Sequence, residues 1–141
     1  MGRILAIDYG TRRTGLAVSD PLQLIAGGLA TVETRELERY LAQYIAREEV
    51  STIVVGKPTT MNGAPSETMR FVQPLAARLR RAYPAIEVVL YDERLTSVLA
   101  HRAMLDGGLR KTARRDRALV DKIAATIILE DYMASRSRMQ P

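Results

Sequence analysis

The amino-acid sequence predicts an α/β fold, a five-stranded mixed sheet with helices packed on its faces. The first reason is the order of the predicted elements, because three strands are followed by alternating helices and strands. The second is the short GTRR link after the first strand, which predicts an antiparallel hairpin. The third is the continuous apolar run STIVVG, since strands buried on both faces of a parallel sheet have this composition.

The first half of the chain supplies three strands and one helix. Apolar content and alternation predict strands over residues 3–9, 14–19 and 28–33, the last of them weaker. Thr34 is expected to be the N-cap of a helix over residues 35–49, where apolar residues recur at helical spacing. These elements predict a meander of strands that a helix then covers.

The next part of the chain alternates strands with a helix. Apolar runs predict strands over residues 51–56 and 86–91. A polar loop containing an Asn–Gly turn follows the first of these strands. The helix between them is predicted over residues 66–82, with Pro74 causing a kink or a late start.

Two helices are predicted to complete the chain. Thr96 is expected to cap a helix that runs to about Asp106, where two glycines stop it. The last helix is predicted over residues 115–134, and residues 135–141 are expected to fray. A length of 141 residues indicates a single domain spanning residues 1–141.

The composition excludes several classes of site. The chain has no cysteine, so disulfides and cysteine-bound zinc are excluded, and its single histidine argues against a Ser–His–Asp triad. No signal peptide is expected from the first residues, and no apolar run approaches the length of about 18 residues that a membrane helix needs. A soluble cytoplasmic protein is therefore expected. A net charge of +5 and a pI near 9.9 favour an anionic partner, with nucleic acid the leading candidate.

Carboxylates stand in apolar settings at three places. Asp8 ends the first strand, Asp92 and Glu93 end the fifth, and Asp121 interrupts the apolar run ALVDKIAATIIL. A buried carboxylate costs several kcal/mol unless a cation or hydrogen bonds compensate it. Each acid alone could form a salt bridge, a cap or a turn. Together, at strand ends and on a covering helix, Asp8, Glu93 and Asp121 predict an acidic site.

Such a site suits a divalent cation and phosphodiester cleavage. Hard oxygen ligands without histidine or cysteine favour Mg²⁺ or Mn²⁺. Two ions about 3.5–4 Å apart can activate a water and stabilise the leaving oxygen. Asp8 is predicted to bridge both ions, with Glu93 and Asp121 each holding one.

Basic residues surround the predicted acids. Five basic residues and one acidic residue lie between positions 110 and 117, immediately before Asp121. Such side chains bind phosphate groups, although a charge run can also be a solvated face. An aromatic content of 5% argues against base stacking on a single strand and favours contact with the backbone. The predicted nucleic-acid-binding residues are Arg12, Arg13, Lys57, Arg94, Arg110, Lys111, Arg114, Arg115 and Arg117.

Four motifs in order, AIDYGTRRTGLAVSD, VVGKPTTMNG, YDERLTS and LVDKIAATIILEDY, resemble the YqgF family, also called RuvX-like. The resemblance covers nearly the whole chain. It implies an RNase H-like fold, related to Holliday junction resolvases, with strand order 3-2-1-4-5. It also implies that Asp8, Glu93 and Asp121 form the acidic site. The chain departs from the family in having Lys57 where a leucine is usual and Ala64 where another glycine often follows MNG.

The resemblance implies a nuclease that processes the 5′ end of pre-16S ribosomal RNA, with ribosomal precursor particles as partners. Two alternatives stay open: a Holliday junction resolvase, which would act as a homodimer on branched DNA, and a non-catalytic ribosome-assembly factor. An actin-like ATPase is disfavoured because that cleft needs two domains. The strand order separates the ends of strands one and five, so Asp92 could replace or assist Glu93.

Overall fold

A computed structural model describes residues 2–57, 69–92 and 113–139. The described part contains five strands, three α-helices and one 3₁₀ turn. The elements in chain order are β1 (Arg3–Asp8), β2 (Arg13–Ser19), β3 (Ala26–Glu33), a 3₁₀ turn (Thr34–Glu36), α1 (Leu37–Arg47), β4 (Val50–Lys57), α2 (Met69–Ala82), β5 (Glu87–Asp92) and α3 (Ala113–Met139).

The strands form one mixed sheet in the order β3-β2-β1-β4-β5, so the predicted fold class and strand order are confirmed. The first three strands pair antiparallel, as the short link predicted. β4 pairs parallel with β1 and with β5. β1 therefore lies at the centre of the sheet, with a strand on each side.

The two faces of the sheet carry separate apolar clusters, because successive side chains of a strand point to opposite sides. Leu5 and Ile7 of β1 pack with the apolar sides of α1 and α2, on what we call the α1/α2 face. Ile4 and Ala6 pack with α3, on what we call the α3 face. The core of the molecule is thus divided by the sheet, and α3 alone supplies the described helical cover of its face.

Two predicted elements differ from the structure. Thr34 does not cap α1, because its hydroxyl donates to the carbonyl oxygen of Gly10 (2.6 Å), and the N-cap residue Glu36 makes no side-chain capping bond. The last helix continues to Met139, whereas residues 135–141 are expected from the sequence to fray. Pro74 lies within α2, and the kink or late start expected from it stays a prediction. The helix predicted from Thr96 to Asp106 lies outside the described residues. None of the described helices is long and apolar enough to cross a membrane.

The α3 face depends on apolar side chains in the middle of α3. Ile128 is fully buried, whereas Leu119 in the same helix is 49% exposed. We expect Ile128→Ala to lower the free energy of unfolding by about 2–5 kcal/mol, because it leaves a cavity. Leu119→Ala is the matched control and should change stability by about 0.5 kcal/mol or less. Urea denaturation followed by circular dichroism measures both, and equal losses would contradict this division of the core.

The loop between β2 and β3 depends on an ionised Asp20. The backbone N–H groups of Ile25 and Leu24 both donate to its carboxylate at 2.7 Å, and these bonds lower the pKa of Asp20. Its folded pKa lies below the unfolded value, so the stabilisation exists above the unfolded pKa and is lost as pH falls through the folded pKa. We expect Asp20→Asn to flatten the acid side of the melting-temperature profile. An unchanged profile would contradict this role.

Candidate functional site

Asp8 is the last residue of the central strand and is only 4% exposed. Side chains alternate along a strand, so Asp8 points to the same side of the sheet as Ile4 and Ala6, which is the α3 face. Its partner across the antiparallel pair with β2 is Gly15. The carboxylate predicted from the sequence therefore lies at the carboxyl end of β1, on the side covered by α3.

Gly15 brings the backbone of α3 against the sheet. A Cβ atom on this residue would stand 2.0 Å from the carbonyl oxygen of Asp121 and 2.4 Å from its carbonyl carbon. No side chain fits that space, so glycine is required for the close approach. Asp8 and Asp121 therefore both neighbour Gly15, the first across the strand pair and the second above it.

Two further contacts seat α3 on β3. The hydroxyl of Thr31 donates to the carbonyl oxygen of Ala118 at 2.5 Å. The aliphatic part of Lys122 crosses Gly28, where a Cβ would lie 2.7 Å from Lys122 Cγ. Because these contacts lie on either side of Asp121 in sequence, they set the rotation of the helix and direct that carboxylate toward the start of β2.

Arg13 bonds the carboxylate of Asp121. Its Nε donates to Oδ2 at 2.9 Å, and the side chains are 37% and 20% exposed, respectively. Arg13 lies two residues before Gly15, so both belong to the α3 face of β2. A partly buried carboxylate is stabilised by a counter-charge, and Arg13 supplies it.

The turn between β1 and β2 is braced by the start of the first helical segment. The backbone N–H of Thr34 donates to the carbonyl oxygen of Arg12 at 2.9 Å, and its hydroxyl bonds Gly10 as described above. A Cβ on Gly10 would stand 2.3 Å from the carbonyl oxygen of Arg13, so the turn is tight. The Arg12 side chain is exposed at this turn, beside the candidate site.

Two of the three predicted acids neighbour Gly15: Asp8 is its partner across the strand pair, and the backbone carbonyl of Asp121 lies against it. Glu93 lies outside the described residues. Asp92 is the last residue of β5, and its side chain points to the same side of the sheet as Leu90, which packs on the α1/α2 face. Because it faces away from Asp8, Asp92 is disfavoured as a replacement for Glu93. Among residues 2–57, 69–92 and 113–139, no group of three acidic, histidine or cysteine side chains could hold one metal ion.

The predicted basic residues fall into three groups. Arg12 and Arg13 lie at the β1–β2 turn beside the acids. Lys57 ends β4, and Arg114, Arg115 and Arg117 lie in the first turns of α3, where Arg117 is exposed. Arg94, Arg110 and Lys111 lie outside the described residues. The described members of this set lie on or near the elements that carry the two acids.

Sequence reasoning missed two features of the site. It assigned Arg13 to phosphate binding only, without its ion pair to Asp121, because residues 108 apart in sequence have no detectable relation in one chain. It also missed the role of Gly15. Here a signal existed, since a glycine in the interior of a strand often marks a close backbone approach.

Comparisons with known proteins show which family this chain resembles. The model of a family described as "RuvX: Holliday junction resolvase" matches residues 2–135. A protein of Parabacteroides distasonis named "Putative pre-16S rRNA nuclease" is 54% identical over 136 residues, which cover 96% of this chain and 97% of that one. One of Porphyromonas gingivalis with the same name is 50% identical over 138 residues, covering 98% and 100%.

Solved structures show the same fold. The structure "T. thermophilus RuvC in complex with Holliday junction substrate" superposes with a TM-score of 0.55 and covers 94% of this chain and 96% of its own. Its sequence is 19% identical to this chain, so the likeness concerns the fold alone. The RNase H-like architecture expected from the sequence is thereby confirmed.

The contact at Gly15 can be tested by adding one methyl group. We expect Gly15→Ala to lower the free energy of unfolding by about 1–3 kcal/mol, because the new Cβ would overlap backbone atoms that cannot rotate away. Gly27→Ala is the matched control, because a Cβ there meets nothing within 4 Å, and should leave stability unchanged or slightly increased. Equal stability of Gly15→Ala and wild type in urea denaturation would contradict the close approach.

Proposed function

Because this chain belongs to the family described as RuvX Holliday junction resolvase, we propose that it is a metal-dependent endonuclease that processes the 5′ end of pre-16S ribosomal RNA. Relatives that share half of its sequence over nearly their whole length carry the pre-16S rRNA nuclease name. The high sequence identity between this chain and those relatives supports the proposal that this chain catalyses the reaction that their name gives. An enzyme acting on that precursor would work in the cytoplasm.

The observation that carries this proposal is the meeting of Asp8 and Asp121 at Gly15. Asp8 and the backbone of Asp121, 113 positions apart in sequence, both neighbour Gly15 at the end of the central strand. Asp8 ends a row of core residues and is only 4% exposed, a position where a carboxylate is costly, and Asp121 is partly buried and compensated by Arg13. A chemical use of the two acids accounts for their presence.

The donor set fits a hard divalent cation. The oxygens of Asp8 and Asp121 are ligands that Mg²⁺ and Mn²⁺ prefer, and Glu93 would complete the set. In this proposal Asp8, Glu93 and Asp121 would hold the divalent ions. Ions bound there would supply the Lewis acidity that activates a water and stabilises the leaving oxygen.

The chain's own basic residues would hold the substrate. Arg12 is exposed at the turn that follows Asp8, and Arg117 is exposed one helical turn before Asp121. Guanidinium groups bind phosphate oxygens and position the backbone without reading sequence. The proposed partner is therefore a structured nucleic acid recognised through its phosphates, with an affinity that falls as salt rises.

Branched DNA is the second candidate substrate. The family description names Holliday junction resolution, and the RuvC structure that shares this fold contains a junction. Cleavage of either substrate breaks a phosphodiester bond. The RNA differs from the DNA in having 2′-hydroxyl groups, and the junction DNA differs from the RNA in having a branch point. A non-catalytic assembly factor is the remaining alternative, and the two acids at Gly15 argue against it.

The acidic site can be tested by neutralising its central ligand. We expect Asp8→Asn to lower cleavage by at least about 100-fold, since it removes a charge at the reacting centre, while nucleic-acid binding persists. Cleavage of precursor RNA with Mn²⁺ should leave 5′-phosphate and 3′-hydroxyl ends, which end mapping measures. The matched control is Glu38→Gln on the α1/α2 side, which disrupts an exposed ion pair with Arg78 and should leave cleavage unchanged.

A matched panel of precursor RNA and four-way-junction DNA separates the alternatives. Preferential cleavage of the RNA supports the proposal, and preferential cleavage of the junction supports the second candidate. If Asp8→Asn cuts as well as the wild type, the acidic site is wrong. If the wild type binds both substrates and cuts neither with Mg²⁺ or Mn²⁺, the assembly-factor alternative replaces the enzyme.

A further inference from the structure

We propose that Arg13 is the counter-ion of Asp121 in the metal-free protein and is displaced from it when a divalent cation binds. The inference rests on the proposed function, because it assumes that Asp121 receives a cation. It assigns Arg13 two successive partners. The guanidinium first holds the carboxylate and then, once released, becomes available to a substrate phosphate at the same edge of the sheet.

The ion pair has the properties of an exchangeable contact. Arg13 Nε lies 2.9 Å from Asp121 Oδ2, so the bond is well formed. The Arg13 side chain is nevertheless 37% exposed, and water can therefore solvate the guanidinium when it leaves. A fully buried pair would lose several kcal/mol on separation, whereas a partly exposed one separates at a small cost.

The surroundings determine which partner moves. The main chain of Asp121 is held against Gly15, and the neighbouring Thr31–Ala118 hydrogen bond holds the preceding turn of α3. The main chain of Arg13 is held by its pairing with Glu33 in β3. Both backbones are thus held in place, and the long arginine side chain can change its position without unfolding part of the domain.

The charges determine the direction of the exchange. Asp121 attracts a doubly charged cation more strongly than a singly charged guanidinium at a similar distance, and Asp8 adds a second negative charge from the neighbouring strand. The exchange should therefore respond to the concentration of the cation.

The exchange couples metal binding to substrate binding. Before the cation arrives, Arg13 neutralises Asp121 and limits the repulsion between the two carboxylates. After it arrives, a positive side chain is released beside Arg12, at the turn where a phosphate would lie. Metal and phosphate should therefore each strengthen the binding of the other, because both favour the displaced side chain.

Mn²⁺ binding to the protein without nucleic acid tests the inference directly. Free Mn²⁺ is counted by its electron paramagnetic resonance signal at 0.15 M salt during a titration of the full chain. We expect Arg13→Gln to bind Mn²⁺ about fivefold more tightly than the wild type, because the cation no longer competes with a guanidinium. Arg13→Lys, which keeps a positive charge, should restore an affinity near that of the wild type.

Arg12→Gln is the matched control, because it removes the same charge from the same turn without removing the ion pair. Its Mn²⁺ affinity should change by about twofold or less, since an exposed charge is screened at this salt concentration. Melting temperatures of all variants without metal check that each one folds. The melting-temperature increase on adding Mn²⁺ gives a second measure of affinity, and it should be larger for Arg13→Gln than for wild type.

An NMR titration supplies a spectroscopic signature. The Arg13 Nε–H resonance of the wild type should shift as diamagnetic Mg²⁺ is added, and Asp8→Asn should abolish the shift. Unchanged or weaker Mn²⁺ binding by a folded Arg13→Gln variant overturns the inference, since Arg13 would then only orient Asp121. If the wild type binds no Mn²⁺ and Asp8→Asn behaves identically, the proposed metal site itself fails. The two failures are therefore distinguishable.

Discussion

The close approach of α3 to β2 at Gly15 is the constraint on which the candidate site depends. A Cβ atom at this position would lie 2.0 Å from the carbonyl oxygen of Asp121, so the helix can rest there only on a residue without a side chain. The contact places the backbone of one acid directly over the strand that pairs with the other. A helix held farther away would bury the same apolar residues, but it would separate Asp121 from Asp8.

The sheet provides the second condition by giving the central strand two different faces. Ile4 and Ala6 direct β1 toward α3, and Asp8 follows them in the same alternation. The carboxylate therefore ends a row of core residues instead of lying in a loop. An acid in that position has few rotamers available, which suits a ligand that must present its oxygens in a defined direction. Precision at the site thus follows from the packing of the core.

Electrostatics explains why the site is mixed in charge. A partly buried carboxylate such as that of Asp121 loses hydration, so a compensating charge favours the folded state. Arg13 supplies that charge from β2, while Arg12 remains exposed on the same turn. The turn itself is held by Thr34, whose hydrogen bonds to Gly10 and Arg12 replace the helix cap expected of it. Thr34 therefore stabilises the turn beside the site and not the start of α1.

The sequence alone determined the mixed five-stranded sheet, through hairpin length and apolar runs, and the strand order, through the resemblance to a known family. It also identified Asp8 and Asp121 as misplaced acids. These features depend on local patterns, which one chain displays directly. The tertiary structure alone decided that Thr34 braces a turn, that Asp92 faces away from Asp8, and that Arg13 pairs with Asp121. Each of these depends on which side chain reaches across from another element. These contacts are decided by the rotation of a helix, by the side of the sheet to which the last residue of a strand points, and by the space beside a glycine. No local sequence pattern encodes these three properties.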